Sequence, residues 1–119
     1  MEYLGPGIWY TIHQQALLTK WDDRDSYFRL VVEIVDTLPC EKCRLDSVEY
    51  VEWRLIDDSY QNRYQNMFDS EGRYIGIFVW SYQFHNYVNR KLHKSVLSLE
   101  SALEKYIMPD NCQSCKVSI

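Results

Sequence analysis

The sequence predicts an all-α fold: a helical bundle of about five helices, four forming the bundle and a short fifth following. Three observations predict it. Apolar residues recur at i, i+3, i+4 and i+7 in successive segments, clusters of Pro, Gly, Asn and Asp separate those segments by short connections, and the one run of strand-like composition has no partner run to pair with. At 119 residues the chain is the size of one domain, able to bury a modest core without obligatory staples.

The elements follow in order. Pro6 opens the first helix, where Trp9, Ile12, His13, Ala16 and Leu17 recur at helical spacing. Trp21-Asp-Asp-Arg-Asp breaks the pattern and has the composition of an N-cap. The second helix carries Tyr27, Leu30, Val31, Ile34, Val35 and Leu38, and Pro39 is expected to stop it. The third starts at Cys40 and continues through Leu45, Val48, Val51, Trp53 and Leu55. Residues 57–73 are polar, with Asn62, Asn66, Asp69, Ser70 and Gly72, and read as a loop. From Tyr74 to Leu92 the chain is apolar on nearly every face as far as His85. Ile75, Ile77, Phe78, Val79 and Trp80 would suit a strand, but the length favours a central buried helix. Ser98 caps a fifth helix reaching Ile107, and Met108-Pro-Asp-Asn ends it. The expected division is a helical domain over 1–108 and a flexible tail over 109–119.

Composition narrows the function classes. A hydrophobic share of 46% and a charged share of 25% suit a globular protein in water. A net charge of −4 argues against a nucleic-acid partner, which needs a basic face. No apolar stretch is long enough for a membrane span, and Met1-Glu-Tyr-Leu-Gly-Pro lacks the basic and apolar parts of a secretion signal. The expectation is therefore no membrane and no export. Ten Tyr, four Trp and four Phe are many for this length, and such residues wall pockets for flat ligands as well as building cores.

Two motifs carry chemistry. Cys40/Cys43 and Cys112/Cys115 are both Cys-x-x-Cys pairs. A thiol at a helix start, with Lys42 and Arg44 beside it, has its pKa lowered and is reactive as thiolate. Three readings fit the cysteines alone: a redox dithiol, a Cys₄ zinc site built from both pairs in a non-catalytic interaction module, or inert buried thiols. The second motif is Phe84-His-Asn-Tyr-Val-Asn-Arg-Lys-Leu92. His85 and Asn89 share one helical face with Val88 and Leu92 alongside, and buried amides and imidazoles need hydrogen-bond partners. Either the helix end rises into solvent, or a planar ligand with polar ring atoms lies over it, with Arg90, Lys91 and Lys94 available to its phosphates. Trp9 and His13 are four apart on the first helix, which suits core packing or the opposite wall of such a slot.

Taken together with Gly5-Pro-Gly-Ile-Trp-Tyr-Thr-Ile-His13, these motifs resemble, in the same order, those of the ERV/ALR family of FAD-linked sulfhydryl oxidases, in its short viral form. The resemblance runs from about Gly5 to Leu97. It implies FAD, held without a covalent link at one end of the bundle by Gly5, Trp9, His13, His85, Asn86, Val88, Asn89, Arg90, Lys91 and Lys94. It implies Cys40 and Cys43 as the catalytic pair, with Cys43 beside the flavin and Cys40 taking electrons by a mixed disulfide. Cys112/Cys115 would be a shuttle disulfide, and no metal is expected. Substrates would be protein dithiols or a small redox carrier, and O₂ the acceptor, giving H₂O₂. A homodimer built on the early helices is implied, with Tyr27, Leu30 and Ile34 as candidates. Host cytoplasm and the virion are the implied locations, with the mitochondrial intermembrane space as the alternative. The chain departs from the family at Pro6, where a basic residue is common. It also lacks the late Trp and Lys contacts and the Cys-x₁₆-Cys bridge. Tyr106 is the candidate to stand in for the missing aromatic.

Overall fold

In the computed structural model, residues 6–56 and 62–106 are described. They form five α-helices and one 3₁₀ turn: α1 (Pro6–Leu18), the turn (Trp21–Asp23), α2 (Arg24–Val35), α3 (Glu41–Ile56), α4 (Gly76–Lys91) and α5 (Leu99–Tyr106). Among the described residues there is no strand, only an isolated antiparallel bridge between Phe68 and Tyr74. The all-α bundle expected from the periodicity is what the chain forms. α1 packs chiefly on α4 and α2 chiefly on α3, while α5 lies against both α1 and α4.

α4 is the axis. Its strand-like run, Ile77 to Trp80, is buried on every side, as are Ser81, Phe84, His85 and Asn86. Such all-round burial is what a core helix shows, and it overrides β propensity because the tertiary environment supplies the packing. Trp80 has no exposed surface and gathers Phe28 at 4.7 Å, Phe84 at 5.4 Å, Tyr27 at 6.0 Å and Tyr50 at 6.1 Å around it. Helix α4 begins at a glycine because no side chain fits there. A Cβ on Gly76 would collide with the Tyr64 carbonyl oxygen and the Tyr74 phenol, which the Tyr74 hydroxyl already ties together by donating to Tyr64 O at 2.9 Å.

The same helix ends in a Schellman motif. The Lys94 N–H reaches back to Asn89 O at 2.8 Å and the His93 N–H to Arg90 O at 3.1 Å, with His93 in the left-handed region at φ 59°. This cap gathers Arg90, Lys91 and Lys94 around one helix end. Beyond it, the Asn86 amide grips Leu97 twice: Nδ2 donates to Leu97 O at 2.8 Å, and Oδ1 accepts from Leu97 N–H at 2.9 Å. α5 then starts where expected, with Ser98 Oγ accepting from the Ser101 N–H at 3.1 Å.

Two helix boundaries differ from expectation. α2 ends at Val35, short of Pro39, because the chain tightens first: Thr37 and Leu38 N–H groups reach only three residues back, to Ile34 O and Val35 O, both at 3.2 Å. Pro39 disfavours α geometry at Leu38, and the Thr37 hydroxyl takes up Ile34 O at 2.6 Å. Leu38 stays buried all the same. At the other end, no side chain caps α2. The 3₁₀ turn runs into it directly, locked by Arg24, whose guanidinium lies 4.2 Å over the Trp21 ring and donates to Trp21 O at 2.9 Å. Of the expected loop, the described part from 62 onward is closed by Asp69, which accepts from the Glu71 and Arg73 N–H groups, both at 2.9 Å.

Candidate active site

Cys40 and Cys43 are joined as a disulfide, Cα to Cα 5.2 Å, at the start of α3. The local geometry follows from the helix. Cys40 occupies the capping position, where Arg44 N–H bonds to its carbonyl at 2.9 Å, and its Sγ accepts from the Cys43 N–H at 3.3 Å. A sulfur thus does what a Ser or Asp oxygen usually does at a helix start, and the helix dipole favours a thiolate there once the bond is reduced. Both cysteines are half-buried. The two flanking cations are partly engaged elsewhere. Lys42 pairs with Asp46 at 3.1 Å, and Arg44 donates to Leu38 O at 3.2 Å while facing Asp36 at 3.9 Å. Arg44 therefore ties the segment before the cysteines to the helix after them.

The second cluster lies in the seam between α1 and α4. Trp9 stacks on His85, centroids 3.7 Å apart and 10° between planes. His13 Nε2 and His85 Nδ1 are 2.9 Å apart, and His13 Nδ1 is 2.8 Å from Ser81 Oγ. Tyr106 of α5 closes over His13 with ring centroids at 4.2 Å, which places the expected stand-in aromatic against the site. Burial pulls the His13 pKa down to about 3, with His85 and Lys105 adding to the effect. Burial, then Lys105, lowers His85 to about 4. Both rings are neutral at neutral pH.

The Ser81 hydrogen bond orders the proton positions of the two neutral rings. The Ser81 hydroxyl donates to Phe78 O at 2.7 Å, so Ser81 Oγ accepts from His13 Nδ1–H. His13 Nε2 is then bare and accepts from His85 Nδ1–H. His85 Nε2 is left as an acceptor with no partner among the described residues. Four residues on, Asn89 is 8% exposed, and its amide also makes no hydrogen bond among the described residues. The expected polar face of α4 is thus real and buried, and two of its members lack protein partners.

The remaining expected residues divide. Asn86 commits its amide to Leu97, and Val88 belongs to the core. Arg90, Lys91 and Lys94 are exposed at the α4 cap, with Lys91 Nζ 5.4 Å from the Tyr87 ring centroid. Gly5, Cys112 and Cys115 lie outside the described residues. The Trp9–His85 slot is not an open cleft, since the two rings touch. An open groove of about 430 Å³ among the described residues is lined by Tyr50, Tyr82, Gln83, Asn86, Tyr87 and Arg90. It runs from α3 to α4, and Tyr50 lies two turns along α3 from Cys43, on the same face. Three tyrosines, two amides and an arginine suit an aromatic, phosphate-bearing ligand. The His85 Nε2 and the Asn89 amide, which have no hydrogen-bond partner among the described residues, together with the three cations, also fit such a group. Sequence reasoning missed Ser81, Tyr50 and Gly76. Only Gly76 left a signal, as a glycine breaking an apolar run. Among the described residues no cluster of three metal-ligating side chains occurs, and no helix is long and apolar enough to cross a membrane.

A half-buried disulfide at a helix start and a buried imidazole–amide face on α4 are the two features of this helical fold that carry chemistry. Comparisons with known proteins bear on that chemistry. A FAD-linked sulfhydryl oxidase of African swine fever virus is 24% identical over 102 residues, covering 82% of this chain and 75% of the relative. The protein of a second isolate is 22% identical over the same span. An Invertebrate iridescent virus 3 protein, provisionally named for the same activity, is 24% identical over 111 residues, covering 88% of this chain and 66% of its own length. No family model matches the chain, and no solved structure does. The chain is thus similar in sequence to viral proteins named FAD-linked sulfhydryl oxidases.

Proposed function

We propose that the protein is an FAD-dependent thiol oxidase that forms disulfides in protein substrates. The observation that carries this is the Cys40–Cys43 disulfide at the start of α3. With the sulfurs bonded to each other they are not thiolate ligands, which favours the redox reading over the zinc module. A substrate thiolate attacks Cys40 Sγ, giving a mixed disulfide and releasing Cys43 as a thiolate that the helix start stabilises. The second substrate thiol displaces Cys40, so the substrate leaves oxidised and the pair holds two electrons. FAD, when bound, accepts those two electrons and passes them with two protons to O₂, giving H₂O₂. Gly5, Trp9, His13, His85, Asn89, Arg90, Lys91 and Lys94 are the residues we assign to holding it, with Asn86 and Val88 shaping the wall.

Residues 1–108 are the oxidase domain in this reading, and 109–119 a tail whose Cys112/Cys115 pair relays electrons from bulky substrates to Cys40/Cys43. We place the enzyme in the host cytoplasm and virion, acting in virion protein maturation as a homodimer. Of the dimer candidates, Tyr27 is withdrawn: it is 3% exposed and donates to Ile12 O at 3.0 Å within the protomer. Protein purified from cells should be yellow, with a flavin spectrum, and should consume O₂ when given a dithiol. A colourless protein that takes up no FAD and holds stoichiometric zinc would overturn the reading. Replacing Cys112 and Cys115 by Ser should spare oxidation of a small dithiol and slow that of a folded protein dithiol; equal rates on both would remove the relay.

A further inference from the structure

The face of α4 that holds His85 and Asn89 is backed by a residue that no motif includes. Ser81 is completely buried, one turn before His85 on α4, and a core helix of this kind would normally carry an apolar side chain there. Its hydroxyl has one proton and gives it to Phe78 O at 2.7 Å. What remains are lone pairs, and His13 Nδ1 lies 2.8 Å from them. The His13 ring, 1% exposed, is held between α1, α4 and α5, with Phe78 and Tyr106 packed on it.

We propose that Ser81 is a positioning residue, which by accepting from His13 Nδ1–H fixes the tautomers of His13 and His85 in series and presents His85 Nε2 as a bare acceptor to an N–H or O–H donor of the bound cofactor. The inference rests on the cofactor assignment above and adds the device that orients it. A His that holds a ligand through one nitrogen has its tautomer set by the partner of the other nitrogen. Here the setting is passed through two rings. His13 Nδ1–H on Ser81 leaves Nε2 to accept, and that acceptor holds the His85 proton on Nδ1, 2.9 Å away. Were the first bond lost, His13 could carry its proton on Nε2 instead. His85 Nδ1 would then accept, and its proton would move to Nε2. The ligand-facing atom would change from acceptor to donor, which a cofactor donor group cannot use. The stack of Trp9 on His85 keeps the ring plane fixed, so reversal of polarity rather than rotation of the ring is the consequence.

The test is the imidazole nitrogen spectrum of ¹⁵N-histidine protein, recorded with and without FAD, together with FAD affinity. Wild type should show His13 and His85 both as the Nδ1–H tautomer. Ser81→Ala should convert one or both to a mixture or to Nε2–H and weaken FAD binding about tenfold. Ser81→Thr, which keeps the hydroxyl, should restore both readouts. If Ser81→Ala is unfolded by circular dichroism, Ser81→Cys, nearly isosteric but a poor acceptor, takes its place. Unchanged tautomers in the folded variant overturn the proposal, as does a Ser81→Thr protein that behaves like the alanine variant. A wild-type protein that binds no FAD overturns the cofactor assignment instead, while its tautomer spectrum still decides the role of Ser81.

Discussion

The two clusters that make up the site are built on opposite terms. In the α1–α4 seam the rings are stacked, buried and neutral, and His13 is bonded at both ring nitrogens. At the start of α3 the two sulfurs are half-exposed, held by a local backbone N–H to sulfur contact and by the Arg44 tie to Leu38 O. The seam is made to hold something without changing; the helix start is made to change. An oxidase needs both, since the thiols must meet a substrate in water while the electron acceptor has to be kept from it.

The largest effect should come from the exposed half. Cys43→Ser or Cys40→Ser removes the disulfide and should reduce thiol-dependent O₂ uptake to background while leaving FAD bound. Turnover in either variant would break the division of labour, as would loss of the flavin. The buried half should respond to acid instead. The folded pKa values of His13 and His85, about 3 and about 4, lie below the usual 6.5. The unfolded chain therefore binds more protons through this window, so the stability they contribute is complete above about pH 6.5. It is lost as pH falls toward 4, at about 1.4 kcal/mol per pH unit for each ring. Denaturant melts at pH 7, 6 and 5 should show this slope, and a His13→Gln, His85→Gln protein should flatten it; an equal slope in both would mean the rings are not held neutral by the fold. A smaller loss is expected at the foot of α4. Gly76→Ala should lower stability by about 1–3 kcal/mol, because the new methyl meets a backbone carbonyl that cannot swing aside. A melting temperature within a degree of wild type would show that the Tyr64–Tyr74 contact yields easily.

How much of this was legible in the sequence follows the same division. Helix periodicity and the Cys-x-x-Cys spacing anticipated α1 to α5 and the Cys40/Cys43 pair at a helix start, because each depends on residues close in the chain. The burial of His85 and Asn89 was not legible, since the sequence fitted equally a helix end rising into solvent. The end of α2 was not, since Pro39 marks where a helix must have stopped and not where it stops. The cap on α2 was misread because Arg24 locks the turn through the Trp21 ring, a contact that no capping pattern encodes. Ser81 was invisible for a different reason. A serine is common anywhere, and its meaning here comes from His13, which approaches it from α1.

The double grip of Asn86 on Leu97 extends beyond packing. Residues 93–96 are exposed, and an irregular exposed segment ordinarily exchanges its amide hydrogens with solvent quickly. Leu97 N–H, held by Asn86 Oδ1, should instead exchange at the slow rate of the helix that holds it. Beyond the capped His93 and Lys94 amides, Leu97 would then be a protected amide outside any helix, reporting on whether α4 is intact. Since Asn86 also lines the α3–α4 groove, a ligand entering that groove should be detectable as a change in the exchange of an amide it never touches.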